Sequence, residues 1–174
     1  MIKELIAYLV AGLVGLILQG SLLKIIIPYQ AVPNVVLILI VHLSFFRQRN
    51  DGPLFAFLLG LLFDVFGSHM LLGPYAAASV VIYLCVTSIS KRLYIESIMT
   101  LIFVVIVATF VFHGIATAIT SQFIASESLW VVMFHYAPIE AIGSALIAPF
   151  IFRFLKYFRF VNMNKKRAGE AWVS

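Results

Sequence analysis

The sequence predicts an all-α integral membrane protein, a bundle of six transmembrane helices with both ends in the cytoplasm. Three observations predict it. Of 174 residues, 63% are hydrophobic and 11% charged, with a mean hydropathy of +1.10. Soluble domains are roughly half apolar and about a quarter charged, and a chain this small cannot hide the excess in its own core. Second, the apolar residues fall into six runs, close to the most this length allows at about 20 residues per crossing. The runs are apolar all round rather than alternating, which excludes a membrane barrel with its period of two. Third, the Lys and Arg residues gather in alternate connections, as cytoplasmic loops do.

The expected spans are 5–27, 29–46, 53–72, 71–90, 94–116 and 130–155. Residues 1–155 thus form one transmembrane domain, and 156–174 form a basic cytoplasmic tail. Met1-Ile2-Lys3-Glu4 leads directly into the first run with no small-residue cleavage site after a short apolar stretch, so the first helix is expected to stay uncleaved. Pro28-Tyr29-Gln30 ends that run. The second closes at Phe46, before the turn-forming stretch Arg47-Gln48-Arg49-Asn50-Asp51-Gly52. The third runs from Pro53 to a break at Gly67-Ser68-His69, and the fourth ends at Lys91-Arg92. The fifth starts near Tyr94 and gives way to a more polar stretch, Thr117 to Ser128. The sixth, from Trp130 to Leu155, contains Pro138 and Pro149. The second and third runs are short. A re-entrant hairpin would put Arg47, Arg49 and Asp51 at membrane depth, at roughly 3 kcal/mol each. Two full spans avoid that cost.

With the N-terminus inside, the cytoplasmic segments hold eleven of the twelve Lys and Arg. Lys24, near the outer end of the first helix, is the exception. This placement assigns the formal charge of +5 to topology and excludes nucleic acid as the expected partner. Cys85 lies within an apolar run and reads as an inert small hydrophobe. No glycine-rich phosphate loop, nucleophile elbow around Ser21, Ser79 or Ser121, or His-Glu-x-x-His is present. Neither catalytic residues, nor a metal site, nor a cofactor is expected.

Ionisable residues within spans are costly and call for a partner or a purpose. Asp64 is the sharpest case, about 18 Å along its helix from Gly52 and so in the outer half. Ala56, Gly60, Asp64 and Ser68 share one face at spacings of four, and small residues there let another helix approach closely. The expected role is a helix-packing carboxylate, hydrogen-bonded, protonated or ion-paired with Lys24; the alternative is a direct functional role, given the cost of keeping the residue there. Gly12, Gly15 and Gln19 mark a second stripe on helix one. Glu140 and Ser144 lie on helix six beside Ala137, Ala141 and Ala145. His113 and His135 fall near outer helix ends. His42, Tyr75, Tyr83 and Phe66 read as packing or interfacial residues. Arg153, Lys156, Arg159, Lys165, Lys166 and Arg167 interleave with aromatic residues where helix six leaves the bilayer, the pattern of an anchor on anionic lipid, with a docking site for a cytoplasmic partner as the alternative.

The stretch Pro33-Asn34-Val35-Val36, then Gly60-Leu61-Leu62-Phe63-Asp64-Val65-Phe66-Gly67, then Leu72-Gly73-Pro74-Tyr75-Ala76-Ala77 resembles the rod shape-determining protein MreD family. Detailed similarity covers about residues 33–84, while length, six runs and basic tail agree over nearly the whole chain. The resemblance implies a non-catalytic bacterial inner-membrane protein that pairs with MreC, a single-span protein, and supports peptidoglycan synthesis and cell shape. Its wider partners would be MreB, RodA and a class B penicillin-binding protein. It implies a fold similar to the substrate-binding subunits of energy-coupling-factor transporters. Asp64 matches the family's acidic position, and Gly60 and Gly73 match its glycines. The alternative expectation is a vitamin-like small-molecule binding subunit of a transporter, with a cavity lined by Asp64, His113, His135 and Glu140.

Overall fold

The computed structural model describes residues 2–21, 32–46, 51–67, 71–90, 98–124 and 128–170. Six helices account for nearly all of them: α1 (Ile2–Ser21), α2 (Val35–Phe46), α3 (Gly52–Phe66), α4 (Pro74–Ser90), α5 (Ile98–Phe123) and α6 (Ser128–Glu170). No strand occurs among the described residues. Two stretches are long and apolar enough to cross a membrane, Ile98–Phe123 and Leu129–Leu155, and the other four are shorter apolar helices.

α2 is the core of the bundle. Its sequence is apolar on every side, which suits a helix enclosed by others. Val36 through Leu43 are buried without a break, and α2 packs against each of the other five helices. Those five form an arc around it in the order α1, α3, α4, α5, α6. The ends of the arc meet α2 at His42. Its Nδ1 lies 3.2 Å from the Tyr8 hydroxyl of α1, and its ring sits edge-on to Phe152 of α6 at 4.9 Å.

Small residues set the closest approaches, as expected where no hydrophobic force pulls helices together. A Cβ on Gly60 would collide with the Ser79 side chain and lie 2.7 Å from the Ala76 Cα, so α3 and α4 pack almost backbone to backbone. Ala137, Ala141, Ser144, Ala145 and Ala148 form a buried stripe along α6, at the spacing of one helix face. Outward faces are apolar instead. Ile6, Val10, Val14 and Ile17 of α1 are exposed at spacings of three and four, as are Met99 and Phe103 of α5. Apolar surface on this scale fits lipid rather than water.

Several bounds differ from the sequence reading. α5 continues to Phe123 through the stretch expected to leave the helix. Its polar side chains bond within the helix, Thr120 Oγ1 to the Ala116 carbonyl at 2.8 Å and Ser121 Oγ to the Ala118 carbonyl at 2.9 Å, so they add no unpaired group. α3 ends at Phe66, short of residue 72. α6 passes through Pro138 and Pro149 and across the expected boundary at 155 to Glu170. Residues 22–31, and with them Lys24 and the end of the first expected span, lie outside the described residues.

Candidate functional site

Several polar residues inside the bundle gather around the starts of α2 and α4. α4 starts at Gly73-Pro74. Proline suits a first helical position because its missing N–H would have no partner there. Gly73 holds φ at +117°, a conformation that favours glycine, and it has no side chain to cap the helix. The cap comes from another helix. Asp64 of α3 is 1% exposed, and its Oδ2 accepts from the Ala76 N–H at 2.9 Å and the Gly73 N–H at 3.1 Å. Its Oδ1 accepts from the Tyr75 N–H at 3.3 Å. Tyr75 and Ala76 carry the amides that a capping side chain ordinarily serves. The carboxylate also sits against the positive end of the helix dipole.

This arrangement depends on Gly60. Only a residue without a Cβ lets α3 lie close enough to α4 for Asp64, one turn further on, to reach the amides. Ala56, fully buried one turn earlier, continues the same face. Both carboxylate oxygens accept from backbone donors, while Lys24 lies outside the described residues.

α2 begins in a comparable way. Asn34 is fully buried and caps its own helix, its Oδ1 accepting from the Leu37 N–H at 3.0 Å. Its backbone N–H donates to Ser144 Oγ of α6 at 2.8 Å, and its Nδ2 donates to Glu140 Oε1 at 3.1 Å. The same Glu140 oxygen lies 2.9 Å from His113 Nε2 of α5. His113 Nδ1 in turn lies 3.5 Å from the Tyr75 hydroxyl. A carboxylate only accepts, so Nε2 takes the donor role toward Glu140. Phe63, Tyr75 and Phe112 surround this point with ring centroids 5.1 to 5.9 Å apart. Polar contacts therefore run from the Tyr75 hydroxyl through His113 and Glu140 to Asn34, and the Tyr75 backbone amide adjoins Asp64 across the ring.

Asp64, Gly60, Gly73, His113 and Glu140 thus belong to one region. His135 does not. It is exposed near the start of α6, with its ring edge-on to Tyr136 at 5.3 Å, so the cavity lining expected of it is not formed. Gln19 is half-buried on α1, and among the described residues its Oε1 has no hydrogen-bond partner. Arg153 is exposed on α6, and Lys156, Arg159, Lys165, Lys166 and Arg167 lie further along that helix. Asn34 and Tyr75 were missed as members of the polar cluster. The signal for Asn34 was present, because Asn just ahead of an apolar helical run is a cap signature. Among the described residues no three His, Cys, Asp or Glu side chains gather to hold a metal ion. The cluster can orient helix starts and satisfy buried amides.

A family model described as rod shape-determining protein MreD matches residues 2–161. The chain belongs to the MreD family. Membership implies a role in determining rod shape, within a family of shape-determining structural components. Neither a curated protein nor a solved structure gives a significant match to the chain.

Proposed function

We propose that this MreD-family chain is a non-catalytic, multi-pass component of the bacterial inner membrane that binds an MreC-like single-span protein. Six spans, with both ends in the cytoplasm, would carry it. Through that partner it would support peptidoglycan synthesis and cell shape in the elongation machinery, alongside MreB, RodA and a class B penicillin-binding protein. The bundle would share the arrangement of energy-coupling-factor substrate-binding subunits without their cargo. The observation that carries the reading is the family match over residues 2–161. The polar cluster supports its scaffold aspect. Asp64 bonds to the start of α4, Asn34 caps α2, and Glu140 accepts from Asn34, so they serve the shape of the bundle before any ligand.

The experiment is copurification in mild detergent of the tagged chain from a strain that also expresses the MreC-like protein. The expected result is a complex that persists through gel filtration, together with restored rod shape in a strain lacking the chromosomal copy. Rod shape restored without any such partner would count against the scaffold reading. A tightly held small molecule in place of the partner would favour the transporter-subunit alternative.

A further inference from the structure

The helices on the outside of the bundle differ in height. α5 exposes apolar side chains from Ile98 to Phe123, with no Asp, Glu, Lys or Arg between them. Its 26 residues rise about 39 Å, and the 27 apolar residues of α6 rise about 40 Å. α3 and α4 are shorter. Their 15 and 17 residues rise about 22 and 25 Å. Both have outward apolar faces, with Leu54, Phe57 and Val65 of α3 and Val81, Leu84 and Ile89 of α4 exposed. Residues 67–73 alone join the two helices, too few to reverse the chain and also add a spanning turn. At the other end, Asp51 precedes α3 and Lys91-Arg92 follow α4, so charge bounds this side there. A hydrocarbon core is about 30 Å deep, which leaves the α3–α4 side short by about 5–8 Å. Tilting lowers a long helix to fit but shortens a short one further, so the deficit survives any tilt. α2 is shorter still, but it is enclosed and has no lipid to match.

From this we infer that the α3–α4 face binds the acyl chains of a locally thinned bilayer, while the α5–α6 face holds bilayer of full thickness. The inference rests on the six-span reading. A helix too short for its bilayer either thins the lipid around it or covers itself with protein. The side chains decide for lipid. Small residues permit close helix contact in a membrane, and on α3 they are turned inward, with Ala56 buried and Gly60 against Ala76 and Ser79 of α4. Ala76, Ala78 and Ser79 of α4 are buried as well. What the two helices present outward is bulky and apolar, the surface that acyl chains fill.

The test uses the full chain in phosphatidylcholine bilayers, with Trp130→Phe and Trp172→Phe removing both native tryptophans. A single tryptophan is then introduced by Phe57→Trp on α3 or by Phe103→Trp on α5. Both positions are exposed, and each lies five residues beyond the first residue of its helix. Leu54→Trp repeats the reading on α3 should Phe57→Trp fail to fold. Dibrominated oleoyl lipid quenches the tryptophan, and unbrominated lipids of different chain length compete for the same contact. Dimyristoleoyl lipid should outcompete dioleoyl lipid by about twofold at position 57, and should compete no better than dioleoyl lipid at position 103. A short-chain preference at 57 no stronger than at 103 would overturn the inference and leave the spans standing. A tryptophan on α3 that brominated lipid does not quench, with position 103 quenched, would also overturn it, by giving the α3 face to protein or by removing α3 from the bilayer and the six-span reading with it.

Discussion

Replacing Asp64 by alanine tests the capping geometry directly. The carboxylate accepts from three backbone amides, those of Gly73, Tyr75 and Ala76, at a site that is 1% exposed. Each buried donor left without an acceptor costs about 1–3 kcal/mol, and loss of an N-cap side chain alone costs about 0.5–2 kcal/mol. Water can reach the Gly73 amide more easily than those of the first helical turn, so two unsatisfied donors set the scale. Asp64→Ala should therefore lower stability by about 3 kcal/mol. Asp64→Asn keeps one carbonyl oxygen able to accept two bonds but turns an amide NH2 toward the remaining donor, and should lose about 1–2 kcal/mol. The expected order is parent, then Asn, then Ala, read from SDS unfolding in mixed micelles by tryptophan fluorescence and from accumulation in membranes. An ion pair would behave differently. Asn would then fail as badly as Ala, by about 3–5 kcal/mol, and Lys24→Met would recover part of the loss in Asp64→Leu. That pattern, or an Asp64→Ala variant within about 0.5 kcal/mol of the parent, would refute the capping argument.

Three further outcomes are expected. Gly60→Ala should cost about 1–3 kcal/mol by overpacking, because its Cβ meets the Ala76 backbone, whereas Gly12→Ala should be nearly neutral, because its Cβ meets only side-chain ends, Leu59 Cδ2 at 2.8 Å, Leu62 Cδ2 at 3.4 Å and Leu39 Cδ1 at 3.9 Å; paired unfolding midpoints check this. Glu140→Gln keeps a carbonyl for Asn34 and His113 and should cost about 1 kcal/mol, while Glu140→Ala leaves both donors unpaired and should cost about 2–3 kcal/mol by the same assay. In a Cys85→Ser background, a membrane-impermeant thiol reagent should label Ser126→Cys in intact spheroplasts but Asn50→Cys only after permeabilisation; labelling of position 50 from outside would remove the six-span topology.

The helical class was legible because composition and loop charges act over the whole chain and need no tertiary information. The Ala56, Gly60 and Asp64 face was legible for a similar reason, since spacing of four fixes a face whatever it touches. What Asp64 touches was not legible. Its partners are backbone amides, which every residue but proline carries, so no side chain announces them. Gly73-Pro74 held the indirect clue, a helix start with no side chain at its cap position. Helical rise fixed the depth of His113, His135 and Glu140 but not the rotation of their helices. That is why His113 and Glu140 meet while His135 turns out to be exposed. The polar stretch from Thr117 misled because Thr and Ser can satisfy themselves on the preceding turn, and a helix then tolerates them.

The bond from the Asn34 amide to Ser144 spans 110 positions of chain, and that separation has a meaning in time. A ribosome adds about 5–20 residues per second, so the start of α2 waits roughly 5 to 20 s before the hydroxyl that receives its amide has even been synthesised. Throughout that interval α2 is a 12-residue apolar segment whose lateral cover is incomplete, because α6 and part of α5 have yet to be made. A nascent chain halted before residue 144 should therefore be held by the insertion machinery or destroyed by membrane proteases, whereas one halted just beyond α6 should not. α6 closes an enclosure begun by α2, which makes the synthesis of α6 the moment at which this bundle becomes one object.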